Sequence, residues 1–158
     1  MLFRSVSQSR YDVRRYFRRA KRNAERHVRA GSSSVTGGTQ QIAYTYGATD
    51  ACVIKSIKLD IGSTLGDSGT NIPYVLVVVR EGHDANTIAY PAVLTDLYNP
   101  TMDVLISGIL TAADVEDHKW NMIGRKLKKD DRICLIVRNA AASGNATVSF
   151  ELNFSILT

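Results

Sequence analysis

TVSFELNFSIL, residues 147–157, alternates without a break. Val148, Phe150, Leu152, Phe154 and Ile156 share one parity, and Ser149, Glu151, Asn153 and Ser155 share the other. A side-chain period of two belongs to a β-strand with one face on a core and the other toward water. Working outward, ACVIKSIKLDI (51–61) ends in the same alternation, with Ile57, Leu59 and Ile61 opposed to Ser56, Lys58 and Asp60. Its start is apolar at both parities and Lys55 shares the parity of Ile57, which predicts a β-bulge or a doubly covered end there. IPYVLVVVR (72–80) is almost wholly apolar, as in a strand covered on both faces, with Pro73 tolerated at its start. QIAYTY (41–46), TIAY (87–90), MDVLISGIL (102–110), KWNMIGRKL (119–127) and DRICLIVRN (131–139) complete the strand candidates. GSTLGDSGTN (62–71), residues 81–86, the KKDD run and AAASGNA read as turns, TAADVEDH (111–118) as an acidic connector, and periodicity fails over 91–100. About eight short strands without a strong helix predict an all-β sandwich or barrel, and the single eight-stranded jelly roll is the form that fits.

Charge divides the chain differently. Residues 1–30 hold ten of the twenty Lys and Arg residues (Arg4, Arg10, Arg14, Arg15, Arg18, Arg19, Lys21, Arg22, Arg26 and Arg29) against two acids, Asp12 and Glu25, a net +8. The other residues hold ten cations and thirteen acids, a net −3. Val13, Tyr16, Phe17, Ala20, Ala24 and Val28 recur at intervals of three or four, which predicts an amphipathic helix over 9–29. At this charge density the helix repels itself, and a polyanion would remove that cost. GSSSVTGGTQ (31–40) reads as a flexible linker. The expected organisation is therefore an arm at 1–30, a linker at 31–40 and a β-domain at 41–158.

Arg outnumbers Lys nine to one in the arm. Guanidinium groups form forked bonds to phosphate and stack on bases, so the ten cations are the candidate nucleic-acid-binding residues. A solvated tail or a nuclear import signal is the plainer reading of such a run, and a membrane-surface helix a third, for which the apolar stripe is thin. Tyr11, Tyr16 and Phe17 could stack on unpaired bases, though packing along the stripe suits them better.

Little else carries chemistry. Cys52 and Cys134 lie in apolar runs without CxxC spacing, the pattern of buried thiols in a reducing compartment. No apolar run approaches the ~18 residues of a membrane span, and the N-terminus is too charged for a secretory signal; a soluble intracellular protein is expected. His83 and His118 fall in polar stretches and read as exposed loop histidines; His27 belongs to the arm. Asp114, Glu116 and Asp117 could offer oxygen ligands to a divalent cation, but their spacing matches no Ca²⁺ loop, and no metal or cofactor is expected. Asp67-Ser68-Gly69 with Ile123-Gly124-Arg125 resembles elements of retroviral-type aspartic proteases. The strand before the aspartate and the glycine-rich flap of that family are missing, and Lys126 follows the arginine, so no enzyme activity is expected.

LYNPTMDVLISGI (97–109) and GRKLKKDDRICLIVRN (124–139), behind an Arg-rich arm and within an all-β chain, resemble capsid proteins of small circular Rep-encoding single-stranded DNA viruses. The resemblance implies a single jelly roll, self-assembly of many copies into an icosahedral shell, and an inward-facing arm on the genome. It also implies a virion location, with the host nucleus during assembly. The layout is similar to that of satellite virus coat proteins too, whose RNA would use the arm in the same way. A cellular nucleic-acid-binding β-domain with a basic tail is the alternative. In either case binding would be non-sequence-specific, since phosphate contacts read no sequence.

Overall fold

The computed structural model describes residues 24–65, 71–85, 102–111 and 115–158. Its strands are β1 (Ala24–Thr36), β2 (Gln40–Gly47), β3 (Cys52–Leu65), β4 (Ile72–Val79), β5 (Met102–Leu110), β6 (Val115–Leu127), β7 (Arg132–Arg138) and β8 (Asn145–Leu157). They form two four-stranded sheets, a first in the order β1-β8-β3-β6 and a second in the order β2-β7-β4-β5. Every pairing is antiparallel: β1 with β8, β2 with β7, β3 with β6 and β4 with β5, with β3–β8 and β4–β7 added. The first four pairings describe one long antiparallel double ribbon, and the last two are the contacts made when that ribbon rolls up. The sandwich is a single jelly roll. Among the described residues no helix is long and apolar enough to cross a membrane.

β8 takes the alternation of its sequence into three dimensions. Ala146, Val148, Phe150, Leu152, Phe154 and Ile156 are buried, meeting Ile54, Ile57, Leu59 and Ile61 of β3 and Tyr74, Leu76 and Val78 of β4 between the sheets. The bulge expected near Lys55 is present, as a register shift between Ile54 and Ser56 against both neighbours of β3. β4 is buried at all eight positions. Its other parity, Val75, Val77 and Val79, forms a second apolar layer with Ala85, Cys134 and Ile136 on the far side of the second sheet. That double cover is why its sequence lacks alternation. Both cysteines are buried free thiols, and burial pushes the Cys134 thiol pKa up.

The largest departure is at β1. The helix expected over 9–29 and the linker over 31–40 are replaced, within the described residues, by one thirteen-residue strand and the turn that follows it. Residues 9–23 of that expected helix lie outside the described residues. The β-sandwich accordingly includes residues from Ala24 onward, where the sequence predicts a start at residue 41. The inward parity of β1 reads Glu25, His27, Arg29, Gly31, Ser33 and Val35, of which only Ser33 and Val35 are buried. There is thus almost no apolar period to read locally. What makes the segment a strand is its pairing to β8 along its whole length, from Ala24↔Leu157 to Thr36↔Asn145. Tertiary pairing overrides the weak helical spacing of Ala24 and Val28. The small residues of GSSS suit the role, because larger neighbours must cross them. At Gly31 a β-carbon would lie 3.0 Å from Cζ of Phe150, the residue directly opposite it on β8. Gly31→Val should therefore lower stability by about 1–3 kcal/mol through overpacking, read as a lower urea midpoint at unchanged m-value.

Two other boundaries move. β3 continues through Leu65, into the stretch expected to be a turn. β6 begins at Val115 and so absorbs half of the expected acidic connector. His118 is therefore no loop residue: it lies on β6, facing Tyr74 and Glu116. The TIAY strand candidate and the aperiodic stretch over 91–100 lie outside the described residues.

Candidate nucleic-acid interface

Of the ten arm cations, Arg26 and Arg29 fall within the described residues, and Arg4, Arg10, Arg14, Arg15, Arg18, Arg19, Lys21 and Arg22 lie outside them. Strand parity separates the two that are placed. Arg29 has the inward parity; burial raises the Tyr44 pKa, and the positive charge of Arg29 opposes that rise. Arg26 has the parity of Val28, which is 49% exposed, and lies on the outer face of the first sheet. His27 faces inward and stacks on Phe154, with ring centroids 4.8 Å apart and planes 11° from parallel.

The register arranges that outer face in transverse rows. One row runs Val28, Asn153, Lys58 and Lys119 across β1, β8, β3 and β6; the next runs Ala30, Glu151, Asp60 and Asp117. Two cations are thus opposed on adjacent strands, beside three opposed carboxylates. Lys58 Nζ donates to Asp60 Oδ2 at 2.6 Å. That bond holds the Asp60 carboxyl below the usual carboxylate range, against the effect of desolvation, and raises the Lys58 pKa. Among the described residues neither Lys119 nor Arg26 has a carboxylate within ion-pair distance. At the end of the sheet where β1 begins, Arg26, Lys58 and Lys119 line a half-open groove of about 490 Å³. Its lining is mixed: Ser56 and Ser155 share a hydroxyl–hydroxyl bond of 2.7 Å with Asn153 in the same lining, alongside Ala24, Ile57 and Phe154.

No known protein family and no curated protein matches the sequence. Among solved structures the chain is similar to VP2 of infectious bursal disease virus in its subviral particle, with a TM-score of 0.46 at 9% identity over 84% of this chain. Structures of the Gx and Gt strains of that virus give TM-scores of 0.46 and 0.43 at 9% and 8% identity. The chain spans 32% of the length of each of these proteins, about a third.

The remaining polar clusters hold the sandwich together. Asp131, 1% exposed, accepts hydrogen bonds from Arg80 Nη1 at 2.7 Å, Lys128 N at 2.8 Å and Glu81 N at 3.0 Å. Burial alone would raise its carboxyl pKa, but these donors hold it below the ordinary value. Arg80 also pairs with Asp103 of β5. At the opposite end of β4 the buried Tyr74 hydroxyl meets Glu116 and His118 of β6. The carboxylates weighed as cation ligands do not converge: Glu116 faces Tyr74 between the sheets, Asp117 lies opposite Asp60 on the outer face, and Asp114 is outside the described residues. Among the described residues no group of three His, Cys, Asp or Glu side chains could hold a metal. Asp67, Ser68 and Gly69 of the protease-like triplet also lie outside the described residues.

The sequence alone did not single out Lys58 and Lys119. Lys58 is one polar position of an alternating strand, and Lys119 stands at the head of a strand candidate. Only the β3–β6 register makes them neighbours.

Proposed function

We propose that this chain is a capsid protein with no catalytic role. Many copies assemble into an icosahedral shell, and the arm at 1–30 packages a single-stranded DNA genome without sequence preference. The observation that supports this best is a jelly roll whose edge strand β1 is the direct continuation of an Arg-rich segment. A segment of net +8 repeated around a shell is concentrated on whichever side β1 presents, and counterion release makes a polyanion its natural partner. A body of net −3 lets copies approach without strong repulsion. The partners are accordingly further copies of the same chain and nucleic acid rather than a membrane, and the expected locations are the virion and, during assembly, the host nucleus.

Electron microscopy of the purified full chain tests the reading. Uniform particles with an absorbance ratio showing nucleic acid are expected, and neutralising Arg14, Arg15, Arg18 and Arg19 to Gln should leave particles that have lost cargo. A monodisperse monomer at high concentration, across pH and salt, would count against a shell; salt-sensitive binding without particles would favour a cellular binding domain.

A further inference from the structure

We propose that the groove at the β1 end of the first sheet is a second phosphate seat, in which Arg26, Lys58 and Lys119 hold the backbone of the same nucleic acid that the arm engages. The proposal rests on the reading of the arm as a nucleic-acid-binding segment and extends it to the folded body.

The first ground is electrostatic. Lys58 and Lys119 are directly opposed on adjacent antiparallel strands. Like charges in that position destabilise a sheet. Asp60 neutralises Lys58, but among the described residues nothing neutralises Lys119 or Arg26. An anion between them turns a repulsive pair into a clamp. The second ground is donor chemistry. Lys and Arg side chains only donate, and the Ser56–Ser155 hydroxyl pair and the Asn153 amide add donors in the lining. One Asn153 amide hydrogen is already used on Glu151 Oε1, at 2.8 Å.

The third ground is shape and position. A half-open groove admits a polymer passing through, where an enclosed cavity would suit a small ligand. Ala24 lines its rim, so residues 1–23, with eight cations and one acid, join the body at the groove itself. The row of Asp60, Asp117 and Glu151 lies two residues farther along the strands, about 7 Å away. Those carboxylates repel phosphate from the middle of the sheet and confine a polyanion to the end where the arm enters. The one ring lining the groove, Phe154, is buried with its side chain in the core. The seat therefore contacts backbone and leaves base identity unread.

Binding of fluorescent oligo-dT to the full chain, followed by anisotropy across salt, tests the proposal. Each phosphate contact removed should lower the slope of log K against log salt by about 0.7 and weaken binding about fivefold at 0.1 M salt. Lys119→Gln and Arg26→Gln should each show that loss, and the double variant about twice the loss in slope. Lys128→Gln, exposed in the β6–β7 turn, should bind as the unaltered chain does. Lys119→Gln should leave thermal stability unchanged or slightly raised, which separates lost binding from lost folding. An unchanged slope in the double variant, while the Arg14, Arg15, Arg18 and Arg19 variant weakens, overturns the groove and keeps the arm. The reverse result keeps the groove and overturns the arm. Particles lost from the double variant at unchanged oligo-dT affinity would make the groove a seat for another copy's carboxylates and overturn the proposal. Failure of the unaltered chain to bind oligo-dT overturns both.

Discussion

Asp131→Ala is expected to lower the melting temperature by about 10 °C, because removing one partner of a buried charge network costs about 3–5 kcal/mol and each kcal/mol is worth about 2–4 °C at this size. The carboxyl is the common acceptor for the end of β4, through Arg80 and Glu81, and for the β6–β7 turn, through Lys128. Its own backbone adds the segment after β2, where Ala48 N donates to Asp131 O at 2.9 Å. Deleting it leaves backbone N–H groups and one side of a guanidinium without their acceptor in a dry place. The same residue sets a pH dependence. Its folded pKa is depressed, so its contribution is fully present above the unfolded carboxyl value of about 3.9 and is lost as pH falls through the lower, folded value. The gap in melting temperature between the unaltered chain and Asp131→Asn should be wide at neutral pH and narrow in acid. An equal gap at both would show that Asp131 acts through its shape and not its charge.

Phe154→Ala should cost about 3–5 kcal/mol as a cavity in the core, and its effect should be uneven. The ring is 1% exposed and touches three strands: it lies in β8, stacks on His27 of β1, and meets Tyr46 of β2 edge-on at 5.1 Å. The first half of β1 has little else to bury, since Glu25 and Arg29 are its other inward residues. Amide hydrogen exchange should therefore accelerate most over 24–30, well beyond the global loss of protection, while the second half of β1, held by buried Val35, follows the rest of the sandwich. Uniform acceleration across β1 would mean that backbone pairing to β8, and not the ring, holds the strand.

The elements legible in the sequence are those whose burial is decided by a simple rule. β8 alternates because one face meets the core; β4 is apolar throughout because both faces are covered; the bulge of β3 shows as a break in parity at Lys55. β1 was not legible because an edge strand with Glu25, His27 and Arg29 on its inward parity obeys neither rule. β6 misled in the opposite way. Its inward Glu116 and His118 satisfy the Tyr74 hydroxyl, so a strand with polar groups facing in looked like a connector. The groove depended on register, which pairs Lys58 with a residue 61 positions later and which no local pattern encodes. The ten arm cations were plain from composition, yet only the strand parity of β1 distinguishes outward Arg26 from inward Arg29.

The place of β8 in the first sheet also imposes an order in time. β8 lies between β1 and β3, so neither of those strands has its central neighbour until β8 has been synthesised. During translation β1 must wait without its partner in the sheet for a strand more than a hundred residues downstream, while β3 has only β6 beside it. Such long-range pairing is slow and leaves strand edges open to the wrong partner. A truncated product lacking β8 keeps the β3–β6 pair but leaves β1 with no neighbour in the first sheet.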